Sequence, residues 1–497
     1  MKNLLAVLIA VSILNAGSLV MVEGDIRSFL PLDPGVTVYF VEQGWFLAEA
    51  PESWGAVLAD SPEGLYLAHL SSPDPALPGE VLMIRDGAAL FRPSGPMPPA
   101  ALPGVRLAVP LRPFRTGALS PAPAVPRSRD SAAVAEIVAQ FDEDSMKSHI
   151  QDLQDFQTRL CITPQYFESA DWVAEMFQSY GLVSVDVDTF DFTFYGNQYQ
   201  SANVSGEIPG TSQDPGIILI TGHLDAITYT SPYEFAPGAD DNASGCATVL
   251  EAARIMSQYQ FPNTVRFVCF GAEELGLIGS EYYAENAFNA GDPIVAVMNL
   301  DMVLYGPEDN RVLFVPYNTL SENIAVMFQE AASTHVPELE LDVTYSPGTT
   351  YSDHASFWQQ GYPALLGIEA AVDDNPYYHQ DTDILSNYDQ YWPFGTECAR
   401  AALAFVAEAA YTDWLGIEGG APAAPALSVF PNPACGTVHA LVGGSEPESL
   451  SLYDLSGRRV LSCFGGTLDV SGLSAGVYFV RTSVEGLQLT SRVVIAR

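Results

Sequence analysis

The run Ile217-Ile218-Leu219-Ile220-Thr221-Gly222-His223-Leu224-Asp225 is a short apolar stretch that ends in two side chains able to bind or support a metal. Four consecutive aliphatic residues of this kind have the length and composition of a strand buried on both faces, as in a parallel sheet. The same pattern recurs downstream. Val265-Arg266-Phe267-Val268-Cys269-Phe270 runs into Gly271-Ala272-Glu273-Glu274-Leu275-Gly276, and Ile294-Val295-Ala296-Val297-Met298 into Asn299-Leu300-Asp301. Between them Pro237-Gly238-Ala239-Asp240-Asp241-Asn242-Ala243-Ser244-Gly245 opens an aliphatic helical segment reaching Tyr259.

Around this centre helices and strands alternate. Helical spacing covers Val134 to Phe141, Met146 to Leu160, Ala170 to Tyr180, Ser321 to Thr334, a segment from His354, and Thr396 to Tyr411. Strand patterns cover Val183 to Val187, Phe190 to Phe194 one residue out of phase as a bulge or second strand would be, Val312 to Val315, Leu339 to Tyr345 and Ala364 to Ile368. This interleaving predicts an α/β three-layer sandwich over 130–412 with a mostly parallel central sheet. In such sheets ligands bind at the carboxyl ends of the strands, which is where His223, Glu273 and Asp301 fall.

The flanks read differently. Residues 1–23 have a Lys2 start, an apolar Leu4 to Leu14 run and small residues at 15–18, the pattern of a signal peptide cleaved there or near Gly24. Residues 24–92 alternate short apolar runs with Pro, Gly and Ser turns and read as a β-rich module, either a removable pro-segment or a spacer. Prolines crowd 93–129, predicting a semi-rigid linker; a second linker spans 413–426, and 427–497 has the short-strand pattern of a β-sandwich. No other apolar run reaches the roughly 20 residues that span a bilayer, so no integral membrane segment is predicted for the mature chain.

At 497 residues the chain is long enough for two to four domains, and its 48% hydrophobic content can bury a sizeable core. Sixty acidic residues against twenty basic ones give a formal charge of −40, which repels nucleic acid and anionic membranes and disfavours both as partners, so no nucleic-acid partner is expected. In an exported protein the six cysteines are either bridged or buried as thiols; Cys161, Cys246, Cys269 and Cys398 allow three pairings, and Cys435 and Cys463 lie together near the end.

The strand-end clusters, with His379 in Asn375-Pro376-Tyr377-Tyr378-His379-Gln380-Asp381-Thr382, assemble His223, Asp241, Glu274, Asp301 and His379. Two histidines and three carboxylates suit two zinc ions, provided one carboxylate bridges. Asp225, two residues after His223, is placed to accept the other ring proton and fix the tautomer. Glu273 adjoins a ligand without being needed as one, and so suits a general base toward the attacking water. Zinc can bring a water's pKa from about 15.7 to about 7, whereas a positioned base adds about 10² to 10⁴ in rate. Singly, each acidic pair reads as a helix cap or solvated turn, and His69, His149, His335 and His439 read as structural; it is the joint spacing that points to metal-assisted amide hydrolysis.

In His223-Leu224-Asp225, Pro237 to Gly245, Ala272 to Gly276, Asn299-Leu300-Asp301-Met302, Ser352-Asp353-His354-Ala355-Ser356-Phe357 and Asn375 to Asp383, the chain resembles the zinc aminopeptidases of peptidase family M28. The resemblance implies a zinc exopeptidase-like fold acting on peptide substrates, with Asp241 bridging two zinc ions, Glu274 and His379 completing one site, and His223 and Asp301 the other. It implies Glu273 as base, a free substrate α-amine beside the metals, Tyr351 as an oxyanion donor, and Met302, Ile368 and Tyr378 near a pocket for an apolar first side chain. Tyr351 directly precedes Ser352, one place later than in related sequences, and Ile384 stands where Thr is more usual. Carboxypeptidases or dipeptidases of similar site, cyclases of the same fold, and a non-catalytic surface binding protein remain alternatives. Pro431-Asn432-Pro433, Leu452-Tyr453-Asp454 with Gly457, Leu468-Asp469-Val470 with Leu473, and Gly476-Val477-Tyr478 resemble the C-terminal sorting domain of the type IX secretion system. That implies outer-membrane secretion machinery as a partner and a secreted or surface-attached enzyme.

Overall fold

The computed structural model describes residues 18–23, 26, 36–50, 55–72, 75–95, 102, 104–114, 131–194, 196–414, 427–430, 436–442, 447, 449–453, 459–474, 476–484 and 487–495. The chain divides into two compact units, Met1–Glu418 and Gly419–Arg497. The first opens with eight strands: β1 (Ser18–Glu23), β2 (Thr37–Glu42), β3 (Trp45–Ala50), β4 (Ala56–Ala59), β5 (Tyr66–Leu70), β6 (Gly79–Arg85), β7 (Ala88–Pro93) and β8 (Val105–Pro110). They form two four-stranded sheets, ordered β2-β3-β1-β4 and β6-β7-β5-β8.

At two places the structure has strands where the sequence suggested none. Ser18–Glu23, inside the stretch read as a leader, is a strand: it pairs with β3 from Ser18↔Ala50 to Glu23↔Trp45, and Leu19, Val20 and Val22 are buried. The proline-rich 93–129 stretch is not a linker throughout. Val105, Leu107 and Val109 alternate with less buried residues, and β8 pairs antiparallel with β5. A strand at the edge of a sheet tolerates nearby proline, so composition alone misreads it. Residues 1–17, 115–130 and 415–426, which hold the rest of the leader and linker readings, lie outside the described residues.

The α/β body follows: α1 (Ser131–Val138), α2 (Glu143–Gln154), α3 (Pro164–Ser179), β9 (Val183–Phe194), β10 (Asn197–Ile208), β11 (Ile217–His223), α4 (Gly245–Met256), β12 (Thr264–Phe270), α5 (Ile278–Ala290), β13 (Ile294–Leu300), β14 (Val312–Tyr317), α6 (Glu322–His335), β15 (Glu340–Tyr345), α7 (His354–Gln360), β16 (Ala364–Glu369) and α8 (Trp392–Tyr411). Its eight-stranded sheet has the order β15-β14-β16-β13-β11-β12-β10-β9. The four central strands β12, β11, β13 and β16 are parallel, whereas β9 and β10 form an antiparallel flank.

Alternation across the central strands explains why they read as unbroken apolar runs. Ile218, Ile220, Phe267 and Met298 enter the large core shared with α4 and α8, while Ile217, Leu219, Val268 and Phe270 face the opposite core with Ala284 of α5 and Phe357 and Trp358 of α7. Each side of the sheet is covered, so both sets must be apolar. Phe190 and Phe192 belong to one continuous strand rather than two. Cys161, Cys246, Cys269, Cys398 and Cys463 are free thiols, the first four buried in the core as small hydrophobes.

The second unit has strands β17 (Leu427–Phe430), β18 (Thr437–Val442), β19 (Ser449–Tyr453), β20 (Arg459–Phe464), β21 (Thr467–Asp469), β22 (Gly476–Val484) and β23 (Leu487–Ile495). They make two sheets, β17-β18-β21 and β20-β19-β22-β23, around Val438, Leu450, Leu452, Val480 and Val493. Among the described residues no helix is long and apolar enough to cross a membrane.

Candidate active site

Parallel strands that stop at one edge deliver their next residues to one place. His223 ends β11, Glu273 and Glu274 follow β12, Asp301 follows β13, and His379 lies ten residues beyond Glu369, the end of β16. Asp241 comes from the tight Ala239–Ser244 turn ahead of α4. Gly238 enters that turn at φ +52, and any Cβ there would meet the Asp241 carbonyl oxygen at 2.3 Å. Asn242 locks the exit: its Nδ2 donates to the Leu300 carbonyl at 2.8 Å, and its Oδ1 accepts from the Gly245 N–H at 2.9 Å.

His223 Nε2 lies 3.3 Å from Asp241 Oδ1 and 3.2 Å from Asp301 Oδ1; His379 Nε2 lies 3.2 Å from Asp241 Oδ2 and 3.1 Å from Glu274 Oε2. Asp241 therefore offers one oxygen to each of two triads, His223/Asp241/Asp301 and Asp241/Glu274/His379. Within each triad the ligand atoms lie within 4.8 Å of one another. The donor set fits zinc: imidazole nitrogens and carboxylate oxygens, with Glu274 Oε1 buried and lacking any hydrogen-bond partner. Four carboxylates, counting Glu273, face one small cavity, an arrangement that is costly unless cations neutralise it.

The same crowding governs proton affinity. Burial pushes the Glu273 carboxyl well above its usual range, and the carboxylates of Asp353, Asp301 and Glu274 add to the shift against the His223 charge. Burial works against the Asp241 charge as well, but hydrogen bonds from His223 and His379 outweigh it and hold that carboxyl low.

Asp225 departs from expectation. Its carboxylate is 3.8 Å from His223 Nδ1, while the ring donates instead to the Asp225 backbone carbonyl at 3.0 Å. The carboxylate accepts the backbone N–H groups of Glu273 and Glu274 at 3.1 and 3.2 Å. It thus holds the loop carrying both glutamates, and the carbonyl sets the imidazole tautomer. Spacing along the chain placed the residue but could not say which of its oxygens faced which neighbour.

All the other residues singled out above line a single pocket of about 320 Å³: Glu273, the five candidate ligands, Tyr351, Tyr378, Met302 and Ile368. Arg106 and Leu107 of β8 line it too, unforeseen because that stretch reads as linker. Behind the pocket lie further unforeseen supports. The Asp383 carboxylate accepts the N–H groups of Asp240 and Asp241 at 2.9 and 3.1 Å, and Tyr388 donates to it at 2.9 Å. Asp240 itself faces away from the triads, accepting from the Leu304 N–H and from Asn375 Nδ2, which also donates to Glu369. Arg159, fully buried, donates to the carbonyls of Leu153, Leu224, Pro237 and Gly238. Asp383 was visible as the end of the His379 motif; Arg159 carried no signal.

Fold and site together define a zinc-dependent peptidase. More particularly, the chain carries a peptidase family M28 domain, matched over residues 203–406, and a secretion system C-terminal sorting domain, matched over 428–496. It is 29% identical to leucine aminopeptidase 1 of Trichophyton equinum over 321 residues, 60% of this chain and 82% of that protein. The corresponding Trichophyton rubrum enzyme matches equally, and a probable leucine aminopeptidase of Arthroderma otae is 29% identical over 265 residues, 52% of this chain and 71% of that one. Among solved structures, the Legionella pneumophila LapA aminopeptidase has a TM-score of 0.54 at 20% identity, covering 70% of this chain and 99% of its own. LapB of the same organism has a TM-score of 0.51 at 24% identity, covering 59% and 80%. These last two likenesses concern the fold.

Proposed function

We propose that the protein is an exported aminopeptidase that releases apolar amino-terminal residues from peptides, with two zinc ions held by the two triads that share Asp241. The observation that carries this reading is that sharing, because a carboxylate offering one oxygen to each of two His-containing triads is the arrangement a paired metal centre needs. Zinc, when bound, supplies the positive charge that polarises an amide carbonyl and brings an adjacent water near neutrality.

The chain's own groups do the rest. Glu273 takes the proton of the attacking water on its carboxylate, whose burial raises its proton affinity, and returns it to the leaving amine. The Tyr351 hydroxyl donates to the developing oxyanion. Met302, Ile368 and Tyr378, packed with Val372 in one apolar cluster, receive the first side chain. The carboxylates around the pocket favour a substrate that brings an amine. The C-terminal unit directs the chain to the outer-membrane secretion machinery and the cell surface, and the pairing of Ser18–Glu23 supports leader cleavage before Ser18 rather than near Gly24.

The test is a mass-spectrometric time course of the zinc-loaded chain on a Leu-initiated peptide and its N-acetylated twin, with Glu273→Ala as control. Stepwise loss of amino-terminal residues from the free peptide alone, abolished in the control, is the expected result. Cleavage of both peptides would point to a carboxypeptidase or endopeptidase, and cleavage of neither to a binding protein.

A further inference from the structure

The N-terminal module is joined to the peptidase body by more than its connecting chain. Leu107 and Val109 of β8, with Trp45, Leu47, Leu67 and others of the module, share one apolar cluster with Leu277 and Ala355 of the body. Polar ties accompany that cluster. His69 Nε2 is 2.9 Å from Thr350 Oγ1, Arg112 pairs with Glu281, and Tyr378 Oη donates to the Arg106 carbonyl at 3.2 Å. Detaching the module would expose the shared cluster to water and leave the buried His69 without its partner, which argues against a passive spacer.

Within this junction Arg106 occupies a particular place. Among the described residues it is the only lysine or arginine lining the metal pocket. Its guanidinium forms a fork with Asp373, with Nε 3.0 Å from Oδ1 and the second nitrogen on Oδ2, and its carbon stands 5.0 Å from the centroid of the Tyr351 ring. His69 meets the same ring edge-on at 5.5 Å. The Asp373 fork fixes the plane of the guanidinium, and the guanidinium and imidazole both pack against the tyrosine ring. Tyr351 lies in the stretch leading into α7 and takes its support from another part of the chain.

We propose that Arg106 is a positioning residue of the active site, supplied by the N-terminal module to hold Tyr351 at the pocket wall, so that the module stays on the working enzyme. This rests on the reading of Tyr351 as an oxyanion donor given above. A donor of that kind acts only if it is fixed where the charge develops, and misplacement by about 1 Å can cost about 10²-fold in rate. A lysine in place of Arg106 keeps the charge but not the planar fork, so it restores the position only in part.

The experiment uses the full-length zinc-loaded chain, shown intact by mass before and after assay on leucine p-nitroanilide. Arg106→Ala, Arg106→Lys, Tyr351→Phe and the Arg106→Ala/Tyr351→Phe double variant are compared with wild type, each with matching zinc content and melting temperature. The intact wild type is active; Arg106→Ala lowers kcat by roughly 10²-fold with little change in KM. Arg106→Lys recovers part of the loss, and Arg106→Ala costs almost nothing once Tyr351 is Phe, because the two act as one unit. Additive losses in the double variant, or activity that appears only after the module has been cleaved away, would overturn the proposal. Should Arg106→Ala fail to fold, Arg106→Lys alone and with Tyr351→Phe carries the same comparison. A wild type inert both intact and cleaved would sink the aminopeptidase reading, and this inference with it.

Discussion

The Asp383 carboxylate lies 3.1 Å from the backbone nitrogen of Asp241, the residue shared by both triads, and accepts its N–H. The other Asp383 oxygen takes the Asp240 N–H, so one side chain pins the turn that presents the shared carboxylate. Groups that orient a metal ligand commonly contribute about 10- to 100-fold in affinity. Asp383→Asn keeps one acceptor and puts an N–H donor against the other backbone donor. We expect zinc affinity to fall by about 10- to 100-fold, read by competition with a chromophoric chelator; unchanged affinity would show that the turn is fixed without it.

Asp225 gives a second prediction because its carboxylate serves the Glu273-Glu274 backbone and not the His223 ring. Asp225→Ala should weaken zinc binding in a His223→Ala background, where Asp241/Glu274/His379 is the one triad left intact, and leave it nearly unchanged in a Glu274→Ala background. Calorimetric titration of the four chains decides this. The opposite pattern would return Asp225 to a role at the imidazole.

Acid should loosen the junction between module and body through His69. Burial, together with the charges of Arg106 and His354, depresses His69 to about 3, and burial depresses His354 to about 4. An unfolded histidine takes a proton near 6.5. Between these values the unfolded chain binds protons that the fold refuses, so this contribution to stability is present above about 6.5 and is lost progressively as the pH falls toward 3 to 4. His69→Gln removes one such site. The melting temperature of the metal-free wild type should therefore drop faster than that of the variant between pH 7.5 and 4.5, and parallel curves would refute it.

How legible the molecule was depended on whether a residue's role was local. The central strands could be read because burial on both faces leaves only apolar residues between Ile217 and Ile220 or Ile294 and Met298, and the ligand clusters because each sits where such a run stops. By contrast β10 alternates Asn, Gln and Ser with small residues, and its pairing with β9 and β12 depends on partners far along the chain. β8 was hidden by surrounding prolines although Val105, Leu107 and Val109 alternate correctly. Arg106 was invisible for a related reason: its partners Tyr351 and Asp373 lie more than two hundred positions away, and no local pattern marks a residue whose work is done there.

Arg159 is the extreme case and yields the last prediction. Its Nε donates to Leu224 O at 2.8 Å, its two terminal nitrogens to Leu153, Pro237 and Gly238 at 3.1, 2.6 and 2.8 Å, and the side chain is fully buried. These carbonyls belong to the stretch just after His223 and to the entry of the Asp241 turn, so one guanidinium ties two ligand-bearing segments to the end of α2. Arg159→Met fills much of the volume but takes the guanidinium donors from Leu224 and Pro237 and leaves Leu153 and Gly238 to the N–H groups of Phe156 and Ala243. A buried acceptor left without a donor costs about 1 to 3 kcal/mol, with partial relaxation reducing the sum. A net loss of about 3 to 5 kcal/mol is expected, in line with breaking other buried charge networks. Arg159→Lys should recover little, because a compact ammonium with three donors cannot span four carbonyls. Urea unfolding of the metal-free chain measures both. A loss under about 1 kcal/mol for Arg159→Met, within the range of an ordinary hydrogen bond, would mean that the two segments hold each other without the arginine.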